Sequence, residues 1–162
     1  MHIQFSNISI TVHKREFPES KDFWDGNWLH VTIIYKDDHT TVKVHGPYLH
    51  LTELSKFLKD CERLDKTLHG NAVLDPMEPN LKIELKAKKR GNIQMMTSIT
   101  PNVLTQKHEI LDEIDQSYLP DFITNLRQVL DEYPIQKESL LNKILRKLSI
   151  NQHPLDFNGN LM

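Results

Sequence analysis

The stretch Leu81-Lys82-Ile83-Glu84-Leu85-Lys86-Ala87-Lys88 alternates without a break, apolar at the odd positions and charged at the even ones. A period of two suits a strand with one buried and one solvated face, and suits no helix. Such a strand needs neighbours that turn their apolar sides the same way, so the chain must supply a sheet. Ile8, Ile10 and Val12 alternate in the same manner. From Trp28 onward Leu29, Val31, Ile33 and Tyr35 share one face, with His30, Thr32 and Lys36 opposite. Asp37-Asp38-His39 makes a turn, Val42 and Val44 mark the returning strand, and Gly46-Pro47 is expected to end it. Further strands are read at Ala72-Val73-Leu74, at Ile93, Met95, Thr97 and Ile99, and over residues 106–115 with Ile110 and Ile114 inward.

The period changes to a helical one twice. Leu54, Phe57, Leu58, Cys61, Leu64 and Leu68 form one apolar stripe, with Thr52 as the expected N-cap, Leu51 as its staple and Gly70 as the stop. Leu119, Phe122, Ile123, Leu126, Val129, Leu130 and Tyr133 form a second, with Ser117 as cap and Pro120 tolerated in the first turn. A shorter pattern, Leu140, Leu141, Ile144, Leu145 and Leu148, predicts a third helix over 136–148. Consecutive hairpins imply antiparallel pairing with helices gathered on one face. The expected class is α+β: a mainly antiparallel sheet of about six or seven strands, two long helices packed on one face, and a short C-terminal helix. Residues 1–133 read as a single domain and 134–162 as a helical extension with a loose tail.

The residues favour no chemistry. Cys61 lies on the apolar stripe of the first helix, where a thiol is inert core filler. Histidines stand at 2, 13, 30, 39, 45, 50, 69, 108 and 153 without the i, i+4 spacing of a helical zinc site, so no metal is expected. The five glycines are too scattered for a phosphate loop, and no cofactor is expected. A lone cysteine, the lack of an apolar run of membrane length and the lack of a signal-peptide core make a cytoplasmic location the expectation. The net charge of −2 carries no global pull toward nucleic acid or membrane.

Charge is nevertheless uneven. Residues 105–133 hold Glu109, Asp112, Glu113, Asp115, Asp121, Asp131 and Glu132 against only Lys107 and Arg127, whereas 82–90 hold five bases against Glu84. Acids gathered on one surface would steer a basic partner; the same residues also serve as ordinary solvated faces. Trp24, just upstream of the Asp25-Gly26-Asn27 turn, is the best exposed aromatic contact. The candidate partner-binding residues are therefore Trp24, Glu109, Asp112, Glu113 and Asp121.

Three short segments carry a resemblance: Asp25-Gly26-Asn27-Trp28-Leu29, Glu78-Pro79-Asn80-Leu81 and Asp115-Gln116-Ser117-Tyr118-Leu119. With Leu51-Thr52-Glu53-Leu54 and the hairpin after Arg90-Gly91 in the same order, the chain resembles the wall-associated-protein (WapI-type) immunity family of bacteria over about residues 5–133. The resemblance implies a non-enzymatic protein that binds and neutralises the C-terminal domain of a contact-dependent toxin, often a nuclease. It implies no membrane and no direct nucleic-acid contact, and leaves the extension as a specificity element or a homodimer contact. The alternative is a module that binds a small molecule or nucleic acid on an open sheet face through Trp24, Tyr35 and Lys86. An enzyme would need His30, His45 and His108 to converge.

Overall fold

The structure, a computed structural model, describes residues 1–137. The helix expected over 136–148 and the tail lie outside the described residues, except that 136 and 137 are non-helical. The elements are β1 (His2–Phe5), β2 (Ile8–Arg15), β3 (Trp28–Lys36), β4 (Thr41–His50), α1 (Leu51–Thr67), β5 (Asn71–Leu74), β6 (Leu81–Ala87), β7 (Asn92–Asn102), β8 (Gln106–Asp115) and α2 (Leu119–Glu132).

The expectation of one sheet is overturned. Among the described residues, eight strands form two four-stranded antiparallel sheets, β1-β2-β3-β4 and β5-β6-β7-β8. The two helices do not lie side by side on a face of one sheet. α1 packs on β5, α2 on β1, and the helices on each other, so the pair spans from the edge of one sheet to the edge of the other. The physical reason is the long α1 connection, which carries the chain away from β4 so that β5 opens a new sheet with β6. Each half of the chain is thus four strands followed by a helix, and each helix rests against the first strand of the other half.

Alternation decides which faces meet. Ile8, Ile10, Val12, Leu29, Val31, Ile33, Val42 and Val44 from one sheet join Leu81, Ile83, Leu85, Ile93, Met95 and Ile99 from the other in a single buried cluster. At the helix seam Phe5 stacks on Phe122 with ring centroids 4.1 Å apart, and Phe57 meets Phe122 edge-on at 5.8 Å. Each such ring, fully buried, contributes about 1.5–3 kcal/mol over leaving it exposed. Cys61 is buried in the same cluster, and desolvation pushes its thiol far above the ordinary value.

Several local expectations change. β1 was not legible as a strand, and β4 runs on through Gly46-Pro47 to His50 across an irregularity in its pairing with β3. Thr52 does not cap α1: His50 is the N-cap, its backbone N–H donating to Glu53 Oε2 at 3.0 Å and its Nδ1 lying 2.7 Å from Thr52 Oγ1. Ser117 does not cap α2 either; its N–H donates to Asp115 Oδ1 at 2.8 Å in the 3-10 turn that leads into the helix. Among the described residues no helix is long and apolar enough to cross a membrane.

Candidate functional site

On the second sheet the residues facing away from the core form an open surface. Register aligns three rows across β6, β7 and β8: Lys86-Gln94-Glu113, Glu84-Met96-Leu111 and Lys82-Ser98-Glu109. The middle row is apolar where Met96, 40% exposed, stands opposite Leu111, 57% exposed. The β7–β8 turn adds Val103 and Leu104, and Leu104 at 93% is almost wholly in solvent. That turn is held by Asn102, whose Oδ1 accepts from Leu104 N–H at 2.9 Å and whose carbonyl accepts from Thr105 N–H at 3.2 Å. A large apolar side chain on a fixed turn, beside an apolar row with charged flanks, has the composition of a protein contact surface.

The acids of this segment do not form one patch. Glu109 and Glu113 do point outward beside Leu111. Glu109 pairs with Lys107 at 2.7 Å, which holds its carboxyl below the ordinary value, and Glu113 accepts from Asn92 Nδ2 at 2.7 Å. Asp112 points the other way, half-buried, with Tyr35 Oη donating to its Oδ1 at 3.3 Å. Burial, and then Asp37, push its carboxyl above the usual carboxylate range. Asp121 sits on the exposed first turn of α2, in a shallow depression of about 600 Å³ that it lines with Gln4, Ser6, Ser117, Tyr118, Thr124 and Asn125. Arg127 is engaged by Glu62 at 2.8 Å.

Trp24 is 48% exposed, but its environment is structural as well. Phe23, Trp24 and Trp28 surround the buried His50 ring with centroids 6.0, 5.5 and 5.2 Å away, and Trp24 O lies 3.2 Å from His50 Nε2. Desolvation in this box lowers the His50 pKa below the ordinary imidazole value. The adjacent turn is locked from the far end of the described chain. Asn27 Nδ2 donates to Phe23 O at 2.6 Å and Gln136 O at 3.0 Å, while Asn27 Oδ1 accepts from Gln136 N–H at 2.9 Å. Gly26 is needed for space and not for a positive φ: a Cβ there would collide with Gln136 Oε1 and meet Ser20 O at 2.9 Å.

The alternative contact set of Trp24, Tyr35 and Lys86 does not share a face, since Tyr35 is buried and points inward from β3. Of the three histidines an enzyme would need, His30 and His45 meet on the outer face of the first sheet, whereas His108 belongs to β8 of the second. Sequence reasoning missed Met96, Val103, Leu104 and Leu111. A signal was available: Val103-Leu104 is an apolar pair in a turn, and Leu111 is out of phase with the inward Ile110 and Ile114.

Compared with known proteins, residues 1–134 match the model of a family described as the Immunity protein WapI-like family. No curated protein and no solved structure matches the chain.

Proposed function

Since the chain belongs to the immunity protein WapI-like family, we propose that it protects its cell by binding the toxic domain of a cognate polymorphic toxin and covering the groove that domain uses. Immunity function in general is what the family membership supports. The partner and the surface are our reading, and the observation that carries it is the exposed row Met96–Leu111 next to the Val103–Leu104 turn. Buried apolar anchors at the centre of an interface supply most of the affinity, with charged residues at its rim. Leu104 and Leu111 serve as anchors in this reading, and Glu109 and Glu113 as rim acids that orient a basic, nuclease-like toxin. Asp112 has an inter-sheet role, and Trp24 and Asp121 lie on other parts of the surface. The protein acts by occlusion and carries out no reaction of its own.

The test is co-expression with a cognate toxin domain, scored by cell survival and by co-purification. Leu104→Glu and Leu111→Lys should abolish both while leaving the melting temperature of the free protein unchanged. Full protection by both variants would remove this surface from consideration.

A further inference from the structure

Three imidazoles from three strands meet on the outer face of the first sheet: His13 from β2, His30 from β3 and His45 from β4. Two pairing irregularities flank them, one between Val12 and Lys14 and one between Leu29 and Val31. Such slips re-aim the side chains beside them. The hydrogen bonds then form a chain with one direction. Glu16 Oε2 lies 2.5 Å from His30 Nδ1. A carboxylate only accepts, so His30 Nδ1 carries a proton, and in the neutral ring Nε2 keeps a bare lone pair. His45 Nε2 stands 3.0 Å from that lone pair and donates to it. His45 Nδ1 accepts from Thr32 Oγ1 at 2.8 Å, and Thr32 Oγ1 accepts from His13 Nε2 at 2.8 Å.

We infer that His30 and His45 bind a divalent transition-metal ion of the zinc or nickel class through their Nε2 atoms, with His13 as third ligand and water completing the shell. The ion takes the place of the proton now shared between the two Nε2 atoms. Metal–nitrogen bonds of about 2.0–2.1 Å at a tetrahedral angle put two nitrogens about 3.4 Å apart, so the rings separate by only a few tenths of an ångström. The proton count balances: the His45 proton moves from Nε2 to Nδ1 and is donated to Thr32 Oγ1, the Thr32 hydroxyl proton turns to solvent, and His13 keeps its Nε2 proton on Thr32 and offers Nδ1.

The far nitrogens are already held. Glu16 anchors His30 Nδ1, and Thr32 anchors His45 Nδ1. A metal-bound imidazole characteristically has this outer support, a carboxylate above all. Among the described residues no three such donors already surround one point. The ion would therefore assemble the set from two rings already in contact, His30 and His45, and a third, His13, whose centroid is 5.4 Å from that of His45. Helical spacing could not reveal this group, because each ligand comes from a different strand.

The experiment is calorimetric titration of the full chain with zinc chloride, alongside ¹⁵N imidazole spectra of the wild-type protein. One equivalent of zinc should bind and shift the Nε2 resonances of His30 and His45. The His30→Asn/His45→Asn pair should abolish that equivalent, and Glu16→Gln should weaken it roughly tenfold or more. A His39→Asn/His69→Asn control should leave it intact. All these residues are surface-facing, and circular dichroism without metal confirms that each variant is folded. An absence of saturable binding in the wild type, binding undiminished in the His30/His45 variant, or unmoved His30 and His45 resonances would each overturn the inference.

Discussion

The Tyr35 hydroxyl stands 3.3 Å from Asp112 Oδ1, which ties β3 of one sheet to β8 of the other. The same hydroxyl is 3.3 Å from Asp37 Oδ2, so two carboxylates compete for one proton donor. Their surroundings push them apart. Asp37 accepts from the backbone N–H groups of His39 and Thr40 at 2.8 and 2.6 Å, which lowers its pKa. Asp112 is raised, by burial first, and its Oδ2 is buried without a hydrogen-bond partner among the described residues.

Asp112→Asn should therefore stabilise the protein at neutral pH. A carboxyl whose folded pKa lies above its ordinary 3.8 holds its proton more tightly when folded. Stability then falls as pH rises from about 3.8 through the folded value and stays lower above it. The asparagine variant lacks this loss, so its melting midpoint should gain on the wild type as pH rises from 4 to 7. At about 2–4 °C per kcal/mol the gain is within reach of calorimetry. A variant equal to or below the wild type at pH 7 would count against this account.

His50 has the opposite sign. Its folded pKa is below the ordinary 6.5, so the stability it contributes is complete above that value and is lost as pH falls through the folded one. Thermal melts between pH 7.5 and 5 should show the wild type losing stability faster than His50→Asn. The variant itself should start about 1–3 kcal/mol lower, because the Trp24 carbonyl loses its donor.

Gly26→Ala should cost about 1–3 kcal/mol, as overpacking of a tight site does. Part of that cost should return in Gly26→Ala/Gln136→Ala, since the nearest clash is with the Gln136 side chain and the rest is with the Ser20 carbonyl. Urea melts of the four species give the coupling directly. Strictly additive effects would show that the side-chain clash is not the cause.

Glu109→Lys/Glu113→Lys should slow association with the toxin domain several-fold at low salt and flatten the salt dependence, with little change in dissociation. Stopped-flow fluorescence reads both rates. Asp112→Asn serves as the comparison and should leave association unchanged, because its carboxylate faces Tyr35.

The alternating strands β2, β3 and β6 and both long helices were legible in residue order, and β7 and β8 were legible from their inward-facing residues. Their periods are set by one-sided burial, and burial is what the structure shows. β1 was not legible, because four residues with only Ile3 and Phe5 apolar are too short a signal. The division into two sheets was hidden as well. Residue order cannot say whether a strand after a long helix rejoins the old sheet or begins another. Asp112 was misplaced among the surface acids although phase alone puts it beside the inward Ile110 and Ile114. The histidine group was out of reach in a different way, since it depends on cross-strand register and two local slips that composition does not encode.

The exchange of helices between the halves has a consequence for how the chain can be divided. Cut between Leu68 and Asn71, the two pieces would each carry a helix whose apolar stripe belongs against the other's leading strand. Neither fragment should hold its shape alone, yet mixed together they should reconstitute a stoichiometric pair. Such a split protein would switch on only where both genes are expressed.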